Sequence, residues 1–323
     1  MSTPQFFQLH DVHAPAQARA LAAEAVAGLQ ARPARVSPKF FYDALGSRLF
    51  DAITELDEYY PTRTEAAIFA AQGATMAAAV QARMPQGYSL LDLGAGNCAK
   101  AASLFGVLRP RRYVAIDISV DFLRATLHSL QRQHPALPMV GVGMDFSGRL
   151  ALPAELHDGP ALVFYPGSSI GNFDPDAALA LLRQVHALAA GGALLIGVDR
   201  VKDSATLEAA YDDPLGVTAA FNLNLLRHLN RLTGSDFAPR EWRHVALFNT
   251  QASRIEMHLE ARQALTVRWP GGERAFSAGE RLHTENSYKW LPADFQALLH
   301  DAGFRQVQAT TDERGWFSVF LAA

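Results

Sequence analysis

Three carboxylates stand where strand-like runs end: Asp92, Asp117 and Asp145. The first leads directly into a glycine turn, in the run Leu91-Asp92-Leu93-Gly94-Ala95-Gly96-Asn97-Cys98-Ala99-Lys100. An apolar run, an acid, two glycines one residue apart and a helix-competent stretch describe the nucleotide-facing turn of a Rossmann-like unit. Gly94 lets the chain turn sharply, and Gly96 removes a side chain where a cofactor approaches the backbone. With Ala99 completing a G-x-G-x-x-A pattern, the turn alone fits NAD, FAD or S-adenosylmethionine.

The acids narrow the choice. Asp117 follows Gly96 by about 21 residues, the spacing at which an acid accepts from ribose hydroxyls. Asp145-Phe146 ends the third strand, where an acid can take the adenine amino group while an aromatic ring covers the base. Asp92 beside the turn would attract the cationic amino-acid end of S-adenosylmethionine, whereas next to a pyrophosphate it would add like charge. Singly, each acid reads as readily as a helix N-cap. As an ordered set behind a glycine turn they favour S-adenosylmethionine over a dinucleotide.

These residues need a scaffold. Strand-like runs at 89–93, 113–118, 139–144, 161–165 and 193–198 alternate with helix-length segments at 100–107, 120–133 and 174–190. Near-continuous apolar strands separated by helices predict a parallel sheet covered on both faces. The runs 304–310 and 316–321 read as a closing hairpin, which suits a sheet whose last strand is antiparallel. Residues 1–87 carry Ala-rich helices around an aromatic loop, and 254–262 alternate like a strand with one wet face. The expectation is an α/β fold: a Rossmann-like class I methyltransferase sheet over 63–199 and 291–323. A second, split α+β substrate-binding lid is expected from 1–62 and 200–290.

Composition excludes several classes. The 323 residues are 49% hydrophobic with a net charge of −3, enough for a large core and offering no global attraction to nucleic acid or an anionic membrane. The single cysteine, Cys98, excludes an internal disulfide and reads as a small buried filler. The 11 histidines are scattered, and His244, His258 and His283 lack ligand spacing, so no metal is expected. Neither a leader-like start nor a membrane-length apolar run is evident, and a cytoplasmic monomer acting on a small molecule is expected.

Longer blocks carry a resemblance. They include 38–43 (Pro-Lys-Phe-Phe-Tyr-Asp), 58–65 (Glu-Tyr-Tyr-Pro-Thr-Arg-Thr-Glu), 167–172 (Gly-Ser-Ser-Ile-Gly-Asn), 210–213 (Ala-Tyr-Asp-Asp), 216–222 (Gly-Val-Thr-Ala-Ala-Phe-Asn), 254–257 (Arg-Ile-Glu-Met) and 284–287 (Thr-Glu-Asn-Ser). Over roughly residues 36–323 the chain resembles the L-histidine Nα-methyltransferases of ergothioneine biosynthesis. The resemblance implies transfer of three methyl groups from S-adenosylmethionine to the α-amino group of histidine, giving hercynine. It implies that Gly94, Lys100, Asp117, Asp145 and Phe146 hold the methyl donor and that Asn172 and Tyr211 grip the substrate carboxylate. Glu285 and Ser287 would hydrogen-bond the imidazole, with Met257 lining that end. Tyr42, Phe50, Tyr59 and Gly167 would surround the reacting amine, Tyr42 and Gly167 closest to the chemistry. The chain departs from the family pattern at Asn97-Cys98-Ala99, at Ala101 and at Tyr165-Pro166. The alternatives are a methyltransferase for another amino acid or amine and, on the same kind of sheet, an NAD-dependent oxidoreductase.

Overall fold

The computed structural model describes residues 3–9, 15–118, 120–156 and 159–323. The chain divides into two compact units, one of Met1–His10, Pro61–Val201 and Lys289–Ala323, the other of Asp11–Tyr60 and Lys202–Tyr288.

The first unit is built on an eight-stranded sheet. Its spatial order is Gln5–Gln8, Met139–Gly143, Arg112–Asp117, Ser89–Leu93, Ala161–Tyr165, Ala193–Asp199, Phe317–Ala322, Val307–Thr311. Strands are parallel up to Ala193–Asp199; the C-terminal hairpin then adds Phe317–Ala322, the antiparallel member, and Val307–Thr311, which runs back in the direction of the others. Alternate side chains feed different cores. Leu91, Leu93, Val114, Ile116, Val163 and Ile196 point into one cluster, while Leu90, Tyr113, Ala115, Leu162, Phe164 and Leu195 point into the other. Period-2 alternation between two buried faces is why these strands read as unbroken apolar runs. The chain leaves Ser89–Leu93 for Arg112–Asp117 on one side, and a later segment returns as Ala161–Tyr165 on the other. The glycine turn therefore sits at the switch point of the strand order, where α/β sheets open a crevice.

One expectation fails at the N-terminus. Residues 5–8, assigned by sequence to the lid, pair in parallel with Met139–Gly143 at the sheet edge. The four residues Gln-Phe-Phe-Gln are too few to show a period, so the neighbour decides. A Cβ at Gly141 would come within 2.7 Å of the Phe6 ring, so the glycine admits that aromatic against the strand.

The second unit has a four-stranded sheet in the order Ala34–Arg35, Arg281–Tyr288, Arg254–Ala261, Trp242–Asn249. A separate hairpin pairs Leu265–Trp269 with Gly272–Phe276. Helices Ala44–Thr54 and Val217–Thr233 pack together, and Asp43 organises their junction. Its Oδ1 accepts the Gly46 amide at 2.7 Å as an N-cap and the Asn224 amide at 2.8 Å, while Arg231 pairs with Oδ2. A Cβ at Gly46 would overlap the Phe41 carbonyl, so the tight turn into the helix requires glycine.

A buried ion pair fastens the last segment to the first unit. Lys289 Nζ lies 2.8 Å from Asp199 Oδ2, with the side chains 0% and 1% exposed. Removing one partner of such a pair leaves a charge in a dry site. Lys289→Met is expected to destabilise the protein by about 3–5 kcal/mol in denaturant unfolding. Lys289→Met with Asp199→Leu should recover a large part of that loss; equal losses in the two variants would deny the pair this role.

Candidate active site

The glycine turn is held by the carboxylates that follow the strands. Gly94 and Gly96 have φ of +68° and +51°, conformations that favour glycine. A Cβ at Gly94 would meet nothing within 4 Å and one at Gly96 only the Gly94 carbonyl at 4.0 Å, so within the protein the constraint on both is backbone conformation. Asp117 Oδ2 accepts the Gly96 amide at 2.9 Å, fixing the turn against the neighbouring strand. Asp145 Oδ1 accepts both the amide and the hydroxyl of Ser147, and Phe146 meets the Tyr165 ring edge-on at 5.9 Å.

Asp92 is 2% exposed and accepts the Tyr113 hydroxyl at Oδ2, 2.7 Å away. Its Oδ1 has no partner among the described residues. Burial, partly offset by the Tyr113 hydrogen bond and reinforced by Asp117, pushes its pKa up to about 7. Cys98 beside it is buried, and desolvation with the Asp92 charge pushes its thiol far up, so it stays protonated and serves as filler.

Lys100 lies in the first turn of helix Ala99–Leu108. Its Nζ is 2.6 Å from Glu65 Oε2, and Glu65 Oε1 accepts the Gly167 amide at 2.8 Å. Gly167 and Ser168 are consecutive left-handed residues, φ +77° and +59°, leading into the short helix Ser169–Asn172 that ends at the expected carboxylate ligand Asn172. Lys100 and Gly167, expected to serve donor and acceptor respectively, thus meet on one carboxylate.

The other expected residues gather in the second unit. Tyr42 meets Phe50 at 5.9 Å, Phe50 meets Tyr59 at 6.2 Å and Tyr59 meets Tyr211 at 6.2 Å, all edge-on. The Tyr211 hydroxyl hydrogen-bonds Ser287 Oγ at 2.7 Å. Glu285 and Ser287, two apart on strand Arg281–Tyr288, share a face, and Met257 stands directly opposite Glu285. The register shifts between His283 and Glu285, and the Thr284 hydroxyl donates to the Met257 carbonyl at 3.0 Å. This bulge sets which residues oppose Met257 and its neighbours. Glu285 and Ser287 are both buried. Tyr60, read as packing, is 1% exposed with its hydroxyl accepting from Lys202 at 2.6 Å.

Sequence reasoning missed four contributors. Phe221 lies 6.0 Å from both Tyr42 and Phe50 and stacks on Phe41 at 4.5 Å, completing the aromatic group; its place in the block 216–222 was the available signal. Asn222 donates to His244 Nδ1 at 2.8 Å, which leaves His244 Nε2–H to donate to the Tyr211 carbonyl at 2.8 Å. Burial lowers the His244 pKa and keeps that tautomer neutral. Glu65 is the fourth; it closes the block 58–65, which was the available signal, but nothing local in its helix points to Lys100 or Gly167 as partners. Among the described residues no three His, Cys, Asp or Glu side chains form a metal-holding group.

The first unit's donors suit a ligand with a carboxylate, an ammonium and a sulfonium. Lys100 offers a cation at the turn, and behind it the buried Asp92 carboxyl, whose Oδ1 has no partner among the described residues, can accept from a cationic ligand and ionise beside it. With the strand order and the switch-point glycine turn, these features define a class I S-adenosylmethionine-dependent methyltransferase. Residues 21–323 match the family described as histidine-specific methyltransferase, SAM-dependent, and the chain belongs to that family. It is 41% identical over 317 residues to the histidine N-alpha-methyltransferase of Mycolicibacterium smegmatis, covering 96% of each chain. It is also 29% identical to ergothioneine biosynthesis protein 1 of Neurospora crassa, covering 86% of this chain and 32% of that one. A solved S-adenosylmethionine-dependent methyltransferase from Clostridium acetobutylicum is 12% identical with a TM-score of 0.43, covering 86% of this chain and 95% of that one. By its family and its 41% identity to that relative, the protein is an N-methyltransferase that uses S-adenosylmethionine.

The raised Asp92 pKa has a definite sign. The folded state binds this proton more tightly than the unfolded chain, so the carboxyl costs nothing below about pH 4 and opposes folding as pH rises through about 7. Asp92→Asn should therefore raise the melting temperature of the ligand-free protein at pH 8 and leave it near wild type at pH 4. A difference that does not vary with pH would contradict this assignment.

Proposed function

We propose that the protein trimethylates the α-amino group of L-histidine to hercynine, the first step of ergothioneine biosynthesis, as a cytoplasmic monomer. The observation that carries this reading is the unbroken set in the second unit: Met257, Glu285 and Ser287 on one sheet face, Ser287 bonded to Tyr211, and Tyr211 adjoining the Tyr59, Phe50 and Tyr42 rings. It offers a polar end for an imidazole, a hydroxyl for a carboxylate and an aromatic surround for an amine. The names of the relatives, a histidine N-alpha-methyltransferase and an ergothioneine biosynthesis protein, agree with it.

S-adenosylmethionine, when bound, supplies an electrophilic methyl group on a sulfonium. In this reading Gly94, Gly96, Lys100, Asp117, Asp145 and Phe146 hold it, with Asp92 providing negative charge beneath the turn. Asn172 and Tyr211 bind the substrate carboxylate. Glu285 accepts an imidazole N–H, and Ser287 donates or accepts at the other nitrogen. The α-nitrogen attacks only with its lone pair free, so one proton must leave before each of the three transfers. Tyr42 orients the neutral amine through its hydroxyl. The rings of Tyr42, Phe50 and Tyr59 tolerate the growing alkylammonium through their π faces, without a fixed anion to arrest the series. In-line displacement gains most from positioning, which rigid aromatic packing favours.

Selectivity follows from the buried carboxylate. A substrate without a ring N–H would forgo the hydrogen bond to the buried Glu285 carboxylate and the transition-state binding that bond supplies. Glu285→Ala is expected to lower kcat/KM for histidine by about a hundredfold or more in steady-state assays. Wild-type protein presented with other amino acids should leave them unmethylated. Unchanged histidine turnover in the variant, or preferred turnover of another amino acid, would refute the imidazole assignment.

A further inference from the structure

Glu65 is the most deeply buried acid near the methyl-donor residues, with 0% exposure, and the reading above gives it no part. Each of its oxygens is committed. Oε2 receives the Lys100 ammonium at 2.6 Å and Oε1 the Gly167 amide at 2.8 Å. The two partners come from different places in the chain: Lys100 opens the helix after the first core strand, and Gly167 lies in the loop after Ala161–Tyr165. The contact is tight on both sides. A Cβ on Gly167 would stand 3.0 Å from Lys100 Nζ, and one on Gly197 would overlap Glu65 Oε1. Glycines at 167 and 197 thus clear the space in which the carboxylate and the ammonium meet.

Glu65 cannot be a ligand for the methyl donor's carboxylate, because like charges would repel. Its geometry suits a different task. Lys100 carries three donors, and Glu65 is its hydrogen-bond partner among the described residues. One donor anchored in the interior leaves the others aimed from a fixed point, and the Lys100 side chain is 33% exposed. A long lysine that is not anchored loses rotamer entropy on gripping an anion, and an anchored one loses less.

We propose that Glu65 is a positioning residue that locks the Lys100 ammonium and the Gly167 amide into one arrangement, so that the loop receiving the methyl donor's amino-acid end and the loop carrying Gly167 are set together. The proposal rests on the reading of Lys100 as a donor-binding residue. Glu65→Gln tests it with little change of volume. The glutamine oxygen can still accept the Gly167 amide, but its NH2 group faces Lys100 as donor against donor, releasing the ammonium.

Binding of S-adenosylhomocysteine, measured by calorimetry without histidine, reads the effect. Glu65→Gln and Lys100→Met should each weaken binding on the order of tenfold or more, because a misplaced group forfeits its alignment. The double variant should bind within about twofold of Lys100→Met alone, since Glu65 acts through that ammonium. In turnover, Glu65→Gln should lower kcat and raise KM for S-adenosylmethionine while KM for histidine stays put. Gly167→Ala provides an independent arm: the added methyl should displace Lys100 and weaken S-adenosylhomocysteine binding in the wild-type background, with little further loss in Lys100→Met. A purely structural Glu65 would lower the melting temperature and leave affinity at low temperature unchanged. That result, or losses that multiply in either double variant, overturns the proposal. Because binding is read without histidine, a failure of histidine methylation leaves this test standing, and wild-type protein that methylates histidine but shows no coupling indicts Glu65 alone.

Discussion

A parallel sheet buried on both faces leaves little room for charge, and here Asp92 and Asp117 on adjacent strands and Glu65 on helix Tyr60–Arg83 must each be matched. Burying carboxylates is costly unless each finds a proton, a donor or a cation. Asp92 takes the Tyr113 hydroxyl and holds its proton to about pH 7, Asp117 takes the Gly96 amide, and Glu65 takes Lys100 together with the Gly167 amide. The glycine turn is shaped by these partnerships as much as by its own φ angles. An electronegative strand-end region of this kind favours a ligand bearing a sulfonium and an ammonium over one bearing a pyrophosphate.

The second unit depends on register. Side chains alternate across a strand, so a slip of one residue would turn Glu285 and Ser287 to the opposite face of their sheet. The irregularity between His283 and Glu285 absorbs one residue, Thr284, and its hydroxyl secures the Met257 carbonyl. Glu285 and Met257 then oppose each other. Tyr211 is tied from both ends, by His244 at its backbone and by Ser287 at its hydroxyl, while Asp43 fixes the turn after Tyr42 to the helix carrying Phe221.

Local pattern was legible in the sequence wherever one segment sufficed. The core strands and helices announced themselves because a doubly buried strand is apolar throughout and each helix between them has its own period. The glycine turn and its following acids were legible because their spacing along the chain is set by the βα unit itself. The family blocks brought forward Glu285, Ser287, Tyr211 and the aromatic residues. Tertiary partnerships were not legible. Nothing in the run around Glu65 links it to Lys100 or Gly167, and Asn222, His244 and Tyr211 come from separate elements. The edge strand at 5–8 exists because Met139–Gly143 offers it a partner, and a neighbour of that kind leaves no mark in four residues.

The central claim is that the reacting atom is the α-nitrogen of histidine and that an aromatic surround permits three successive transfers. Mass spectrometry of histidine incubated with the protein and excess S-adenosylmethionine, with fragmentation to place the added mass, tests it most directly. The account predicts an end product carrying three methyl groups, all on the α-nitrogen. A product that stops at one methyl group, or carries methyl on an imidazole nitrogen, would contradict it.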